Sequence, residues 1–210
     1  VEMEEVSRGV RDLKRRAVAF KIDLSQMASI PKVVEKGISE FGKIDILVNN
    51  AGIIRRTSAI DFSEKDWDEV MALNSKTVFF LAQAVARDMM KRKEGKIINI
   101  ASLLSFQGGI LVPSYAASKA AVAQVTKALA NEWAAHGINV NAIAPGYMAT
   151  NNTKALREDP VRSKTILDRI PAGRWGMPSD LAGVAVFLAS SASDYVNGHV
   201  LVVDGGWLAR

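Results

Sequence analysis

The chain has 210 residues, of which 49% are hydrophobic and 23% are charged, and its formal net charge is +5. This length favours one globular domain, and the composition excludes a disordered or fibrous chain. The sequence has no cysteine and only two histidines, so disulfides, a cysteine nucleophile and a histidine-rich or thiolate metal site are not expected.

Short runs of β-branched residues predict five strands. In chain order they are residues 17–22, 44–48, 96–100, 138–143 and 200–203. The runs are almost continuously apolar and do not alternate with polar residues. This pattern is typical of parallel strands that are covered on both faces of a sheet.

Helical patterns lie between these strands, over residues 26–41, 63 to about 91, 114–136 and 178 to about 190. Ser63 followed by Asp66 is an N-cap signal, and Gly137 is a typical helix stop. Strands that alternate with helices predict an α/β fold. We therefore expect one Rossmann-type, three-layer domain with a doubly wound parallel sheet over residues 1–210.

The sequence gives no sign of a membrane or nucleic-acid partner. No apolar run reaches 18 residues, so no membrane span is expected. The basic clusters are short and lack the interleaved aromatic residues of many nucleic-acid binders. The basic excess suits a small anionic ligand instead.

Small, polar or turn-forming residues follow four of the predicted strands. They are Asp23-Leu24, Asn49-Asn50-Ala51-Gly52, Ala101-Ser102 and Ala144-Pro145-Gly146. Ligands of doubly wound sheets bind beyond the carboxyl ends of the strands, and small residues let the backbone approach a ligand closely. The sequence therefore predicts a binding crevice at this edge of the sheet.

Tyr115 and Lys119 are the candidate reactive pair. They are four residues apart in a predicted helix, so they share one face. A nearby ammonium is expected to lower the pKa of the tyrosine, which would suit it to exchange a proton with an alcohol oxygen. Ser102, at the end of the preceding strand, could hydrogen-bond the same oxygen.

An ordered set of motifs resembles the short-chain dehydrogenases/reductases over essentially the whole chain. The motifs are Asn49-Asn50-Ala51-Gly52, Asn74, Ser102, Tyr115-Ala116-Ala117-Ser118-Lys119 and Pro145-Gly146. The resemblance implies a catalytic tetrad in which Tyr115 exchanges the proton and Ser102 orients the substrate carbonyl. Lys119 would bind the nicotinamide ribose and lower the tyrosine pKa, and Asn74 would hold a water in the proton relay.

The resemblance also implies NAD as cofactor, with NADP not excluded. Asp23 and Leu24 would border the adenine. The other expected cofactor contacts, besides Tyr115 and Lys119, are Asn50, Ala51, Gly52, Pro145, Gly146, Met148 and Thr150.

Longer strings, such as SFQGGI at 105–110, resemble the family's bacterial sugar-acid dehydrogenases of pectin and uronate breakdown. This implies a cytoplasmic homotetramer with a small sugar acid as substrate, bound by Ser102 and Tyr115. On chemical grounds, Gln107 could hydrogen-bond the sugar hydroxyls and an arginine could bind the carboxylate. Arginine forks bind carboxylates in a bidentate manner, and we take Arg55 as that residue, with Arg56 its neighbour. A different sugar acid, a 3-oxoacyl thioester, and a non-catalytic dinucleotide sensor remain open alternatives.

The chain departs from the family at its beginning. The glycine-rich phosphate loop, TGxxxGxG, does not occur in the 210 residues. We therefore predict an upstream βαβ portion of roughly 40 residues, because a βαβ unit needs about 30 or more. The residue that selects NAD or NADP normally ends the family's second strand, which belongs to this predicted upstream portion.

Overall fold

The computed structural model describes residues 2–210, which form a parallel sheet flanked by helices. Four strands lie in the order β1-β2-β3-β4, and all neighbours are parallel. The strands are β1 (Ile46–Asn49), β2 (Gly95–Ile100), β3 (Ile138–Pro145) and β4 (Val200–Val203).

Eight α-helices accompany these strands within residues 2–210. They are α1 (Glu2–Asp12), α2 (Ser29–Phe41), α3 (Glu64–Met71), α4 (Thr77–Arg92), α5 (Pro113–Trp133), α6 (Lys154–Glu158), α7 (Pro160–Leu167) and α8 (Ala182–Ala189). A π-helical turn, Ala72–Lys76, joins α3 to α4. None of the helices in the described part of the chain combines the length and apolar character needed to cross a bilayer.

The core has two sides because neighbouring residues of a strand point to opposite faces. On β2, Ile97 packs with α2, α4 and α5, whereas Ile98 packs with Leu188 of α8. On β3, Val140 packs on the same side as Ile97, and Ile143 packs on the same side as Ile98. The expected three-layer, doubly wound architecture is confirmed, and the predicted helices lie close to their expected positions.

One predicted strand is wrong. Residues 17–22 have no regular secondary structure, although their composition is that of a strand. A strand needs a neighbour to pair its backbone groups, and no segment of residues 2–210 pairs with this one. Within the described chain β1 is therefore an edge of the sheet, where Ile46 and Val48 are 44% and 49% exposed.

Candidate active site

The carboxyl ends of the strands bring the predicted site residues to one edge of the sheet. The parallel register pairs Asn49 of β1 with Asn99 of β2, and Ile100 of β2 with Ile143 of β3. The loops after these strands must therefore start side by side. A buried hydrogen-bonded chain also fixes helix α5 against them.

In that chain, Asn49 Nδ2 donates to Asn99 Oδ1 at 2.9 Å, and Asn99 Nδ2 donates to Thr126 Oγ1 on α5, also at 2.9 Å. All three residues are buried. Buried polar groups that are fully paired make a rigid connection, so the network sets where α5 lies relative to β1 and β2.

Ser102 follows β2 directly. Its Oγ accepts a hydrogen bond from the Leu104 N–H at 3.2 Å, within a short turn over residues 103–105. Ser105 completes this turn, since its Oγ accepts from the Ser102 N–H at 3.3 Å. The same Ser105 hydroxyl donates to the carbonyl oxygen of Lys119 at 2.6 Å. Ser105 thus joins the Ser102 turn to helix α5. In the sequence, only the Ser-x-x-Ser spacing indicates this role.

Tyr115 and Lys119 occupy one face of the first turns of α5, as predicted. The Lys119 side chain is buried, and its Nζ lies 5.7 Å from the centroid of the Tyr115 ring. The same Nζ donates to the Ile100 carbonyl oxygen at 2.6 Å. An ammonium has three donors, so two remain for other groups at this edge of the sheet.

The pKa of Tyr115 differs from the sequence-based expectation. Burial raises the pKa of the phenol above its usual value and outweighs two opposing influences, the nearby Ser102 hydroxyl and the charge of Arg56. The net shift is therefore upward, opposite to the expected lowering. Burial also lowers the pKa of Lys119, from 10.5 to about 8.

Asn74 is fully buried in the π-helical turn between α3 and α4. Its Nδ2 donates to the carbonyl oxygen of Ile53 and, at 3.2 Å, to Ser118 Oγ. The structure therefore connects Asn74 both to the segment after β1 and to helix α5. Isolated π-helical turns are frequent at functional sites, which agrees with a turn at this position.

The expected cofactor-facing residues lie along the same edge. Asn50, Ala51 and Gly52 follow β1 and are exposed. A Cβ on Gly52 would lie 3.2 Å from Asn74 Oδ1 and 3.8 Å from Lys119 Nζ. The backbone therefore passes closely over these two side chains, and a larger residue at position 52 would narrow the space beside them.

The remaining expected cofactor contacts lie on either side of this segment. Asp23 accepts hydrogen bonds from Ser25, and the Leu24 carbonyl oxygen accepts from Thr77 Oγ1 at 2.6 Å. Strand β3 ends at Pro145, and Pro145 and Gly146 lie in the wall of a cavity. Met148 is buried and Thr150 lies two residues further along the same loop.

That cavity, of about 500 Å³, contains both Ser102 and Tyr115. The apolar residues of its wall include Leu103, Leu104, Ile110, Leu111 and Leu156. Two arginines, Arg56 and Arg162, also line it. Arg56 Nη2 donates to the Asn152 carbonyl oxygen at 2.7 Å. Sequence reasoning did not identify Arg162, which lies far along the chain in α7.

Two expected substrate contacts are placed differently. Arg55 forms ion pairs with Glu69 at 2.8 Å and Asp66 at 3.3 Å, both on α3, and does not line the cavity. Gln107 accepts a hydrogen bond from the Trp207 indole nitrogen at 3.2 Å and is likewise not part of the cavity wall. The carboxylates of α3 draw Arg55 away, so Arg56 is the arginine of this pair beside Tyr115.

No cluster of three or more histidine, aspartate or glutamate side chains within residues 2–210 is arranged to hold a metal ion. The site is therefore composed of hydroxyl, amide, ammonium and guanidinium groups around an apolar cavity. Such a set can move a proton at Tyr115 and stabilise negative charge on a substrate oxygen beside Ser102.

Comparisons with known proteins agree with this arrangement. The family described as Enoyl-(Acyl carrier protein) reductase matches residues 2–208. The chain is 66% identical to 2-dehydro-3-deoxy-D-gluconate 5-dehydrogenase of Dickeya dadantii and 64% identical to the protein of that name in Escherichia coli. Each match spans the whole chain and 83% of the relative.

Solved structures give the same result. A gluconate 5-dehydrogenase from Burkholderia cenocepacia, in complex with NADP and tartrate, is 43% identical with a TM-score of 0.94. The match covers 98% of this chain and 81% of that one. The chain belongs to the short-chain dehydrogenase/reductase family of NAD(P)-dependent oxidoreductases.

Proposed function

We propose that this protein oxidises C5 of 2-dehydro-3-deoxy-D-gluconate to give 3-deoxy-D-glycero-2,5-hexodiulosonate, and catalyses the reverse reduction. The reaction removes a hydride from the alcohol carbon and a proton from the alcohol oxygen, and this chain's own residues take up the proton. The relatives named as 2-dehydro-3-deoxy-D-gluconate 5-dehydrogenase support this assignment, because they are 64–66% identical over the whole chain.

The observation that carries the proposal is one cavity that combines Ser102 and Tyr115 with two arginines. The hydroxyl pair supplies the proton-transfer chemistry, and Arg56 and Arg162 supply positive charge for an acid. Arginine is suited to carboxylates because its planar donors match the two oxygens. A sugar acid is therefore a better fit to this cavity than a neutral sugar.

In this mechanism Tyr115 accepts the hydroxyl proton during oxidation and returns it during reduction. Its phenol must be deprotonated to act as the base, and the nearby Ser102 hydroxyl and the Arg56 charge favour that form. Ser102 holds the reacting oxygen beside the phenol and stabilises negative charge on it. Asn74 holds the backbone at Ile53 and, on the family resemblance, the water of the proton relay.

The chain's residues fit a dinucleotide at this edge. Lys119 has two ammonium donors beyond its bond to Ile100, which is suited to the ribose hydroxyls. Gly52 lacks the Cβ that would narrow the space beside Lys119. The bound dinucleotide supplies the hydride-transfer chemistry. We propose NAD as the preferred form on the family resemblance, and the NADP in the Burkholderia cenocepacia structure makes NADP the necessary comparison.

A second candidate is oxidation of gluconate itself at C5. The Burkholderia cenocepacia enzyme of that name supports it, with tartrate, a hydroxy acid, in the same complex. Both reactions use the same catalytic groups. The two substrates differ only at C2, which is next to the carboxylate, and at C3.

An assay of the full-length protein separates these alternatives. Production of NADH or NADPH is followed with 2-dehydro-3-deoxy-D-gluconate and with gluconate, and consumption with a 3-oxoacyl thioester, each with both dinucleotides. We expect the highest kcat/KM for 2-dehydro-3-deoxy-D-gluconate with NAD. Faster turnover of gluconate would favour the second candidate, and faster turnover of the thioester an acyl-chain reductase. Dinucleotide binding without any turnover would indicate a sensor.

The family resemblance also leads us to propose a homotetramer that acts in the cytoplasm, in the breakdown of pectin-derived uronates. From the length of the chain we also propose a single domain over residues 1–210. Sedimentation of the full-length protein tests the tetramer directly.

A further inference from the structure

Helix α7 places Arg162 in the wall of the cavity, and contacts at both ends of the helix fix this position. Asp159 caps its first turn, accepting hydrogen bonds from the Val161 and Arg162 N–H groups, both at 3.0 Å. Ile166, near the other end, is buried in a cluster with Leu103, the residue after Ser102. Residues four apart share a helix face, so Arg162 lies one turn from Ile166 on the side that faces the cavity.

The guanidinium of Arg162 has no partner within the described chain. The structure shows neither an ion pair nor a side-chain hydrogen bond for it to any other residue of 2–210. By contrast, Lys164 on the same helix pairs with Asp168 at 2.7 Å. Arg162 is nevertheless half-buried. Burial of a charge is unfavourable unless the charge is paired, so this position favours binding of an anion.

The two arginines of the cavity have different neighbours. Arg56 lies at the reacting end, where its charge acts on the Tyr115 phenol and its Nη2 donates to the Asn152 carbonyl. Arg162 lies on the wall that also contains Tyr147, and its charge acts on that phenol instead. Asp159 is the acidic residue of this wall, and one of its oxygens is already occupied by the two amide groups of α7.

The different positions of Arg56 and Arg162 match the two ends of the proposed substrate. C5 must lie beside Ser102 and Tyr115, and the carboxylate stands at the other end of the carbon chain. We infer that Arg162 binds the substrate carboxylate and so determines the preference for an acid over its neutral analogue, an assignment that rests on the function proposed above. Arg162 is therefore a specificity-determining residue, separate from the groups that act at C5.

The test compares 2-dehydro-3-deoxy-D-gluconate with its neutral methyl ester in the wild-type, Arg162→Gln and Arg162→Lys proteins at full length. Charge-assisted hydrogen bonds contribute about 1.5–3 kcal/mol, so Arg162→Gln should raise KM for the acid roughly 10- to 100-fold. We expect kcat to change less than about threefold and the ester kinetics to stay the same. Arg162→Lys keeps the charge but loses the fork, and should give an intermediate KM.

Lys164→Gln is the matched control, because it removes one positive charge from the exposed side of the same helix. It should leave the ratio of acid to ester kcat/KM unchanged, and a thermal melt checks that each variant is folded. An equal loss for acid and ester in Arg162→Gln, or an equal effect of Lys164→Gln, would overturn the assignment. A wild-type protein that turns over no sugar acid would overturn the proposed function, and this assignment with it.

Discussion

Asn74 holds both backbone groups of Ile53, with its Oδ1 accepting from the Ile53 N–H and its Nδ2 donating to the Ile53 carbonyl oxygen, each at 2.8 Å. A side-chain amide that bonds one residue in this way replaces a strand neighbour at that point. It fixes the segment that follows β1, including Gly52, against the π-helical turn. The position of the expected cofactor-binding backbone therefore depends on one buried side chain.

Replacement of Asn74 by alanine should therefore destabilise the protein. It removes both hydrogen bonds and leaves the Ile53 backbone groups and Ser118 without this partner, at a cost of about 2–4 kcal/mol in the free energy of unfolding. Urea unfolding measures this change. Asn131→Ala, at an exposed position of α5, should change it by less than about 0.5 kcal/mol. Equal stability of the two variants would contradict the role given to Asn74.

Tyr115→Phe should remove nearly all turnover while the fold remains intact. A positioned acid or base contributes about 10²- to 10⁴-fold to the rate, and the phenyl ring keeps the volume of the side chain. The measurement is the rate of NADH formation at saturating substrate, together with a thermal melt. Tyr195→Phe is the matched control, because that side chain is fully exposed and does not line the cavity. Retained activity in Tyr115→Phe would exclude the phenol as the proton carrier.

Much of this site could be predicted because its residues are related by local rules. Strand ends of a parallel sheet meet at one edge, which placed Ser102 near Asn49 and Pro145. Helical spacing placed Tyr115 and Lys119 on one face. Each relation depends on a few neighbouring residues or on the fold class, so the sequence alone contains it.

The differences between prediction and structure share another cause, which is dependence on distant parts of the chain. Residues 17–22 have strand composition, but strand formation depends on a neighbour to pair with. Arg55 and Arg56 are adjacent, and only the position of the α3 carboxylates separates their roles. Gln107 bonds Trp207, a hundred residues away, and no local pattern indicates that contact.

Arg56→Gln should shift the pH dependence of oxidation. The guanidinium charge lowers the pKa of Tyr115, so its removal raises that pKa. Oxidation needs the deprotonated phenol, so its rate increases as pH rises through this pKa. The rising limb of kcat/KM against pH should therefore move to higher pH in the variant.

The comparison for Arg56→Gln is Arg55→Gln, the same substitution at the neighbouring position. Arg55 is paired with Glu69 and Asp66 and lies outside the cavity. Its replacement should weaken the contact with α3 and leave the rising limb of kcat/KM against pH unchanged. A limb that moves equally in both variants, or in Arg55→Gln alone, would show that Arg56 does not act on the phenol.

Lys119→Met should make the folded protein more stable near pH 7 while removing its activity. Burial lowers the pKa of Lys119 from 10.5 to about 8, so the charged side chain is unfavourable in the folded state at neutral pH. The difference of about 2.5 units corresponds to about 3 kcal/mol. Loss of the bond to the Ile100 carbonyl offsets about 1 kcal/mol, which leaves a net gain of about 2 kcal/mol.

The stability gained by Lys119→Met should decrease as the pH rises. Between pH 8 and 10.5 the unfolded chain binds the lysine proton and the folded chain does not, so wild-type stability rises with pH through this window. The advantage of Lys119→Met should therefore be largest below pH 8 and shrink towards pH 10.5. Urea unfolding of both proteins at pH 7 and pH 10 measures it. Lys127→Met, at an exposed position of α5, should change stability by less than about 0.5 kcal/mol at pH 7. A Lys119→Met protein less stable than the wild type at pH 7 would show that this buried ammonium stabilises the fold.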